Sequence, residues 1–117
     1  MISNQILKNT IEGIKSISRV DLYVADTDGQ IVVSTAHAGD QFKSAVMAFV
    51  ASPADSQSVQ DYQFFKVYDE NQLELILIAQ GTSDDVFMVG RMASFQIQNL
   101  LVAYKERYDK DNFIKNL

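Results

Sequence analysis

The sequence predicts an α+β fold: an antiparallel sheet of about four strands, flanked by helices and followed by a long C-terminal helix. Three observations predict it. Two pairs of apolar segments, over 20–35 and 62–79, are each folded back on themselves at a short polar turn. Apolar residues at helical spacing precede the first pair and separate it from the second. Finally, the stretch from Thr82 to Leu117 contains no proline and one glycine, Gly90.

Taking the elements in order, Ser3-Asn4-Gln5 supplies a helix cap, and Ile6, Leu7, Ile11, Ile14 and Ile17 follow at near-helical spacing as far as Ser18. Gly13 weakens this helix by about 1 kcal/mol relative to alanine, so packing must hold it. Val20, Leu22 and Val24 alternate with Asp21, Tyr23 and Ala25, Asp26-Thr27-Asp28-Gly29 turns the chain, and Ile31-Val32-Val33 returns it as a hairpin. Asp26, Asp28 and Gly29 loosely echo a calcium loop. No glutamate stands at the twelfth position, however, and β-branched residues follow, so turn chemistry is the reading and no metal or cofactor is expected.

Ala36-His37-Ala38-Gly39 is a linker, and Asp40 is the expected cap of a helix carrying Phe42, Val46, Phe49 and Val50. Ser52-Pro53 ends that helix, because the residue before proline is driven out of the helical region. Residues 53–60 read as an exposed loop. Residues 62–68 and 73–79 form a second hairpin joined at Asp69-Glu70-Asn71. Its second strand is apolar from Leu75 to Ala79 and is expected at the centre of the sheet, whereas the first alternates more and is expected nearer an edge. Thr82, with Asp85 three residues on, resembles a capping box for the last helix. Apolar or small residues recur there at Val86, Val89, Gly90, Ala93, Ile97, Leu100, Leu101 and Tyr104. A helix of about 30 residues is roughly 45 Å long, so its far end is expected to leave the globule.

Composition narrows the function. The 117 residues fit one domain with a real core. No cysteine is present, which excludes disulfides, thiolate metal sites and a cysteine nucleophile, and suits a cytoplasmic location. No apolar run approaches the roughly 18 residues of a membrane span, and the first residues lack signal-peptide features. The net charge is −5, with six Lys or Arg against twelve Asp or Glu up to Ala103, so direct nucleic-acid contact by this segment is not expected. One histidine, no nucleophile elbow and no glycine-rich phosphate loop argue against an enzyme.

A small-molecule site could draw on Tyr23 and Tyr62, each a hydroxyl on an apolar strand, on Ser34 and His37 at the end of the first hairpin, and on Arg91. Arginine would suit an acidic ligand, since its planar fork donates two hydrogen bonds to a carboxylate. Against this, Arg91 could pair with a surface carboxylate, His37 could be a solvated linker residue, and the tyrosines could be packing.

The helix and strand order places the chain in the broad group of PAS-like and GAF-like sensor domains and the roadblock type of dimerisation domain, which share a pattern but not a function. The segment from Tyr104 to Leu117, ending Asn112-Phe113-Ile114-Lys115-Asn116-Leu117, resembles the exit from the N-terminal diacid-recognition region of bacterial sugar diacid regulator and PucR-like transcriptional regulators. Ile2-Ser3-Asn4-Gln5-Ile6-Leu7, the turn from Asp26 to Ser34 and the join from Gln80 to Leu101 are similar to that region too. The chain departs from the pattern in its short connection from Ala36 to Phe42 and in Asp69-Glu70-Asn71, where the family has a tighter glycine-containing turn.

The resemblance implies a sensor domain over 1–103. Residues 104–117 would continue the helix toward a signalling and helix-turn-helix region outside the chain, which would then be a fragment. The implied ligand is a small acidic metabolite such as a sugar acid, and the implied assembly is a homodimer whose paired helices pass the signal on. Phe87, Met88, Met92 and Phe95, with Leu100 and Tyr104, are the candidate dimer and signal residues. The rival reading is a ligand-free, roadblock-like homodimerisation module.

Overall fold

The computed structural model describes residues 2–115, with side chains through Lys105. Helix α1 spans Asn4–Ser18, strands β1 and β2 span Leu22–Asp26 and Ile31–Ser34, and a single 3-10 turn over Asp40–Phe42 leads into α2, Lys43–Ala51. Strands β3 (Ser56–Val59), β4 (Tyr62–Asp69) and β5 (Gln72–Gln80) follow, and α3 runs over Asp84–Lys115.

The strands form one antiparallel sheet in the order β2-β1-β5-β4-β3. β5 is central, as its continuous apolar run requires, because Ile76, Leu77, Ile78 and Ala79 are buried on both faces. The α+β class and the long last helix therefore hold, in a fold that resembles small regulatory α+β domains of the PAS and GAF kind in general.

Strand alternation divides the core into two layers. On one face Leu22, Val24, Phe65, Val67, Leu77 and Ala79 pack against Leu7 and Ile11 of α1 and Ala93, Ile97 and Leu101 of α3. On the other, Tyr23, Ala25, Phe64, Ile76 and Ile78 pack against Phe42, Val46 and Phe49 at and within α2.

Several expectations are corrected. The sheet has five strands, because residues 56–59, expected as loop, pair with β4 from Ser56 opposite Phe65 to Val59 opposite Tyr62. The turn between them carries Gln60 at a positive φ of 53°. Ser-Gln-Ser-Val has no apolar run because β3 is an edge strand, held mainly by backbone hydrogen bonds. β4 lies nearer an edge than β5, as expected, but β3 covers it, and Gln63, Phe64, Phe65 and Val67 are buried.

Two caps also shift. Asp40 begins the 3-10 turn and makes no side-chain capping bond there. At α3 the Ser83 hydroxyl, not Thr82, accepts from the Val86 N–H at 3.3 Å, because Ser83 directly precedes the first helical residue. The α1 cap is as expected, with Ser3 Oγ accepting from the Ile6 N–H at 3.2 Å.

Candidate functional site

The five residues proposed for a ligand do not converge. Tyr23 and Tyr62 meet on the α2 face with ring centroids 6.1 Å apart, and Phe42 lies between them at 4.8 Å from each. Tyr23 is buried, and its hydroxyl donates to Gln80 Oε1 at 3.3 Å. Burial, then the neighbouring Tyr62 and Asp21, pushes its phenol above the ordinary tyrosine range.

Ser34 closes β2 locally. Its hydroxyl donates to the Ala36 carbonyl at 2.6 Å, and its own carbonyl accepts from Lys8 of α1. His37 is exposed on the linker. Arg91 is exposed on α3, on the opposite side of the sheet from the tyrosines, beside a hollow of about 140 Å³ shared with Ser94, Phe95 and Gln98.

The space between the sheet and α2 is filled by rings. Phe49 and Phe64 meet edge to face at 6.0 Å, Phe42 and Phe64 at 6.3 Å, and both pairs are buried. Lys66 reaches from β4 to the Ser52 carbonyl at the end of α2, with its ammonium 5.0 Å from the centre of the Phe49 ring. A cation at a helix C-terminus opposes the negative end of the dipole, so α2 is held at that end by charge as well as by packing.

The Asp26 carboxylate that raised the calcium reading is engaged by its own turn, accepting the N–H groups of Asp28 and Gln30 at 3.0 Å each. Gly29 completes the turn at a φ of 89°, where a side chain would also meet the backbone of Lys43 at 3.0 Å.

A larger cavity, about 650 Å³, lies at the turn end of the sheet. Leu7 of α1, Val32 and Leu75 of the sheet and Leu101 of α3 form apolar walls, and Asp26, Asp69, Glu74 and Lys105 lie at its polar margin. Asp69 Oδ1 is buried and lacks a hydrogen-bond partner among the described residues. Three carboxylates against one ammonium suit a ligand that donates hydrogen bonds better than one that brings further negative charge. Nothing in the sequence order of these residues draws them together; the two hairpin turns and the helix ends do.

Helix α3 is tied to the sheet from its start to Lys105. Buried Gln63 of β4 donates to the carbonyls of Gly81 at 3.0 Å and Ser83 at 3.3 Å, which anchors the helix start. The Tyr68 N–H donates to Gln98 Oε1 at 3.4 Å, and Lys105 pairs with Glu70 at 3.0 Å. Close approach in the first half depends on Gly90, since a β-carbon there would lie 2.2 Å from the Phe65 ring.

The residues expected for dimerisation separate into two sets. Leu100 and Tyr104 are half-buried and pack inward against the core. Phe87, Met88, Met92 and Phe95 are exposed by 40, 61, 60 and 64%, although Phe87 keeps one edge against Phe65 at 5.5 Å. Between α1 and α3 an open groove of about 630 Å³ runs past Ile14, Ile17, Val89 and Met92. Sequence reasoning missed Val102, 39% exposed, and Ile17, 87% exposed, which extend the apolar outer surface. The segment from Tyr104 to Leu117 that carried the family resemblance lies, beyond Lys105, outside the described side chains. Searches with models of protein families and among curated proteins give no match to this chain.

Proposed function

We propose that this chain is the non-enzymatic sensory and dimerisation domain of a bacterial, cytoplasmic transcriptional regulator, and that α3 conveys its state to a DNA-binding region. One observation carries this reading: a single continuous helix has one apolar face buried in the domain and another exposed. An element packed on both sides couples the two interfaces, because a shift favoured by one is presented to the other.

The turn-end cavity is the place for a ligand to act, since Leu101 and Lys105 of α3 form part of its wall. The family resemblance implies an acidic metabolite such as a sugar acid. The cavity's carboxylates favour hydroxyl-rich compounds over dicarboxylates, and the sugar part of such a ligand meets that requirement.

The test is a thermal-unfolding screen of the 117-residue chain against sugar acids, dicarboxylates and neutral sugars, with light scattering in the same buffer. A ligand at a hundred times its dissociation constant stabilises the folded state by about 2.7 kcal/mol, enough to raise the midpoint by several degrees. A dimeric mass and a shift removed by Glu74→Gln support the sensor. A monomer with no shift across the panel overturns it.

The close ring packing under α2 favours a second reading, the ligand-free homodimerisation module. A dimer whose midpoint no compound moves supports that module instead.

A further inference from the structure

The exposed face of α3 has a period. Met88, Met92, Phe95, Asn99 and Val102 are spaced by four, three, four and three residues, the a/d pattern of a coiled coil with Met92 and Asn99 at a and Met88, Phe95 and Val102 at d. All five are exposed. Gly90, Ala93, Ile97 and Leu101, which lie on the far side of the helix in the same scheme, are buried in the domain. The seam is therefore a second face, separate from the one that the fold consumes.

We infer that α3 pairs with α3 of a second copy as a parallel, in-register coiled coil over Met88 to Val102, with the two Asn99 side chains facing each other. This rests on the proposed role of α3 as the dimer helix and adds the seam, its orientation and its register. Asn99 selects the occupant. In a parallel, in-register pair position a faces a, so the amide meets its own counterpart, and each asparagine can donate to and accept from the other. In an antiparallel pair position a faces d, so Asn99 would face a methionine, phenylalanine or valine and be buried unpaired. A helix from an unrelated partner would have to supply a matching amide at that layer. A second copy supplies it by symmetry.

The flanks agree with self-pairing. In a parallel pair the g positions Arg91 and Gln98 face Gln96 and Ala103 at e of the other helix, so no like charges oppose each other there. At the next a and d positions the sequence has Glu106 and Asp109, so the apolar seam ends at Val102. Two heptads are short for a coiled coil, but here each helix is already formed and held by its domain, which removes the ordering that makes short isolated helices marginal. The groove beside α1, with Ile17 at its margin, adjoins the seam at Met92 and adds apolar surface. A parallel pair also sends both C-terminal ends of α3 in one direction.

The chain has no cysteine, so single-cysteine variants report geometry directly. Met92→Cys and Val102→Cys are each expected to form a disulfide-linked homodimer in a glutathione redox buffer, and a mixture of the two carrying Asn99→Leu to add a mixed 92–102 product, since position a faces d once the antiparallel arrangement becomes accessible. Met92→Glu places two carboxylates in one apolar layer and is expected to weaken the dimer roughly a hundredfold or more by sedimentation equilibrium. Its far-UV circular dichroism should remain that of the parent, because the side chain is exposed. A mixture of the two variants that cross-links only as the mixed 92–102 pair, or a dimer that Met92→Glu leaves intact, overturns this seam while leaving a dimeric regulatory domain standing. A parent chain that is monomeric at every concentration overturns both.

Discussion

The two layers of this domain are built differently. Under α2 the core is aromatic: Tyr23, Phe42, Phe49 and Phe64 interlock in tilted and edge-to-face contacts, and Lys66 ties down the helix end. On the other side of the sheet the core is mainly aliphatic, and its helices expose Ile17, Met88, Met92 and Phe95 to solvent. Among the described residues the α2 layer exposes one large apolar side chain, Met47 at 51%, whereas the helices of the other layer expose a set of them. Single exposed apolar residues are ordinary, but a periodic set on one helix face is a surface made for contact. Both sides contribute to the core, and on the proposed reading the α3 side carries the interaction as well.

The strongest way to break the comparison is Phe64→Ala. It opens a hole in the aromatic layer and is expected to cost about 3–5 kcal/mol in urea unfolding. A loss below about 1 kcal/mol would mean that the ring layer is loosely packed and that the α2 side could admit a ligand.

Gly90→Ala tests the inner face of α3. Alanine favours a helix by about 1 kcal/mol over glycine, yet its β-carbon would lie 2.2 Å from the buried Phe65 ring, which also packs on Phe87. Overpacking of this kind costs about 1–3 kcal/mol, so net destabilisation is expected. A gain in stability would show that α3 can move away from the sheet freely.

Asp21→Asn sharpens the electrostatic side. Lys15 of α1, followed by the Thr35 hydroxyl, holds the Asp21 carboxyl below the usual aspartate range, against the opposing effect of its burial. A carboxylate with a depressed folded pKa stabilises the fold above its unfolded pKa, and that stabilisation is lost as pH falls through the folded value. Because the pair is partly exposed, the variant should lose only about 0.5–1 kcal/mol at pH 7. The difference from the parent should shrink as the solution is acidified below the ordinary aspartate range. Tyr23 has the opposite sign: its raised phenol keeps its full stabilising effect below the unfolded pKa and loses it as pH rises through the folded value.

The smallest expected effect on folding is that of Phe95→Ser, within about 0.5 kcal/mol measured on the monomer. The same change should weaken self-association. A large folding loss would place Phe95 in the core and erase the contrast between the two faces of α3.

Much of this was legible in the sequence. Alternation identified β1, the continuous apolar run placed β5 in the middle, and the spacing from Val86 to Tyr104 identified the inner face of α3. β3 was not legible, because Ser-Gln-Ser-Val carries no apolar pattern and becomes a strand through its bonds to β4. The capping residue of α3 missed by one, since Thr82 and Ser83 have equivalent hydroxyls and only the helix start decides which of them is used. The five ligand candidates were chosen by chemistry alone, and they are distributed over both faces of the sheet and an exposed linker.

By itself the sequence determined the element types other than β3, the β1–β2 and β4–β5 hairpins and the inner periodicity of α3, because each depends on residues a few positions apart. Tertiary structure alone decided that the face from Met88 to Val102 stays exposed, that β4 is covered by a polar strand, and that Asp26, Asp69, Glu74 and Lys105 share one cavity. These relations join residues far apart in the chain. Their energy comes from packing and hydrogen bonds that do not exist until the sheet has closed.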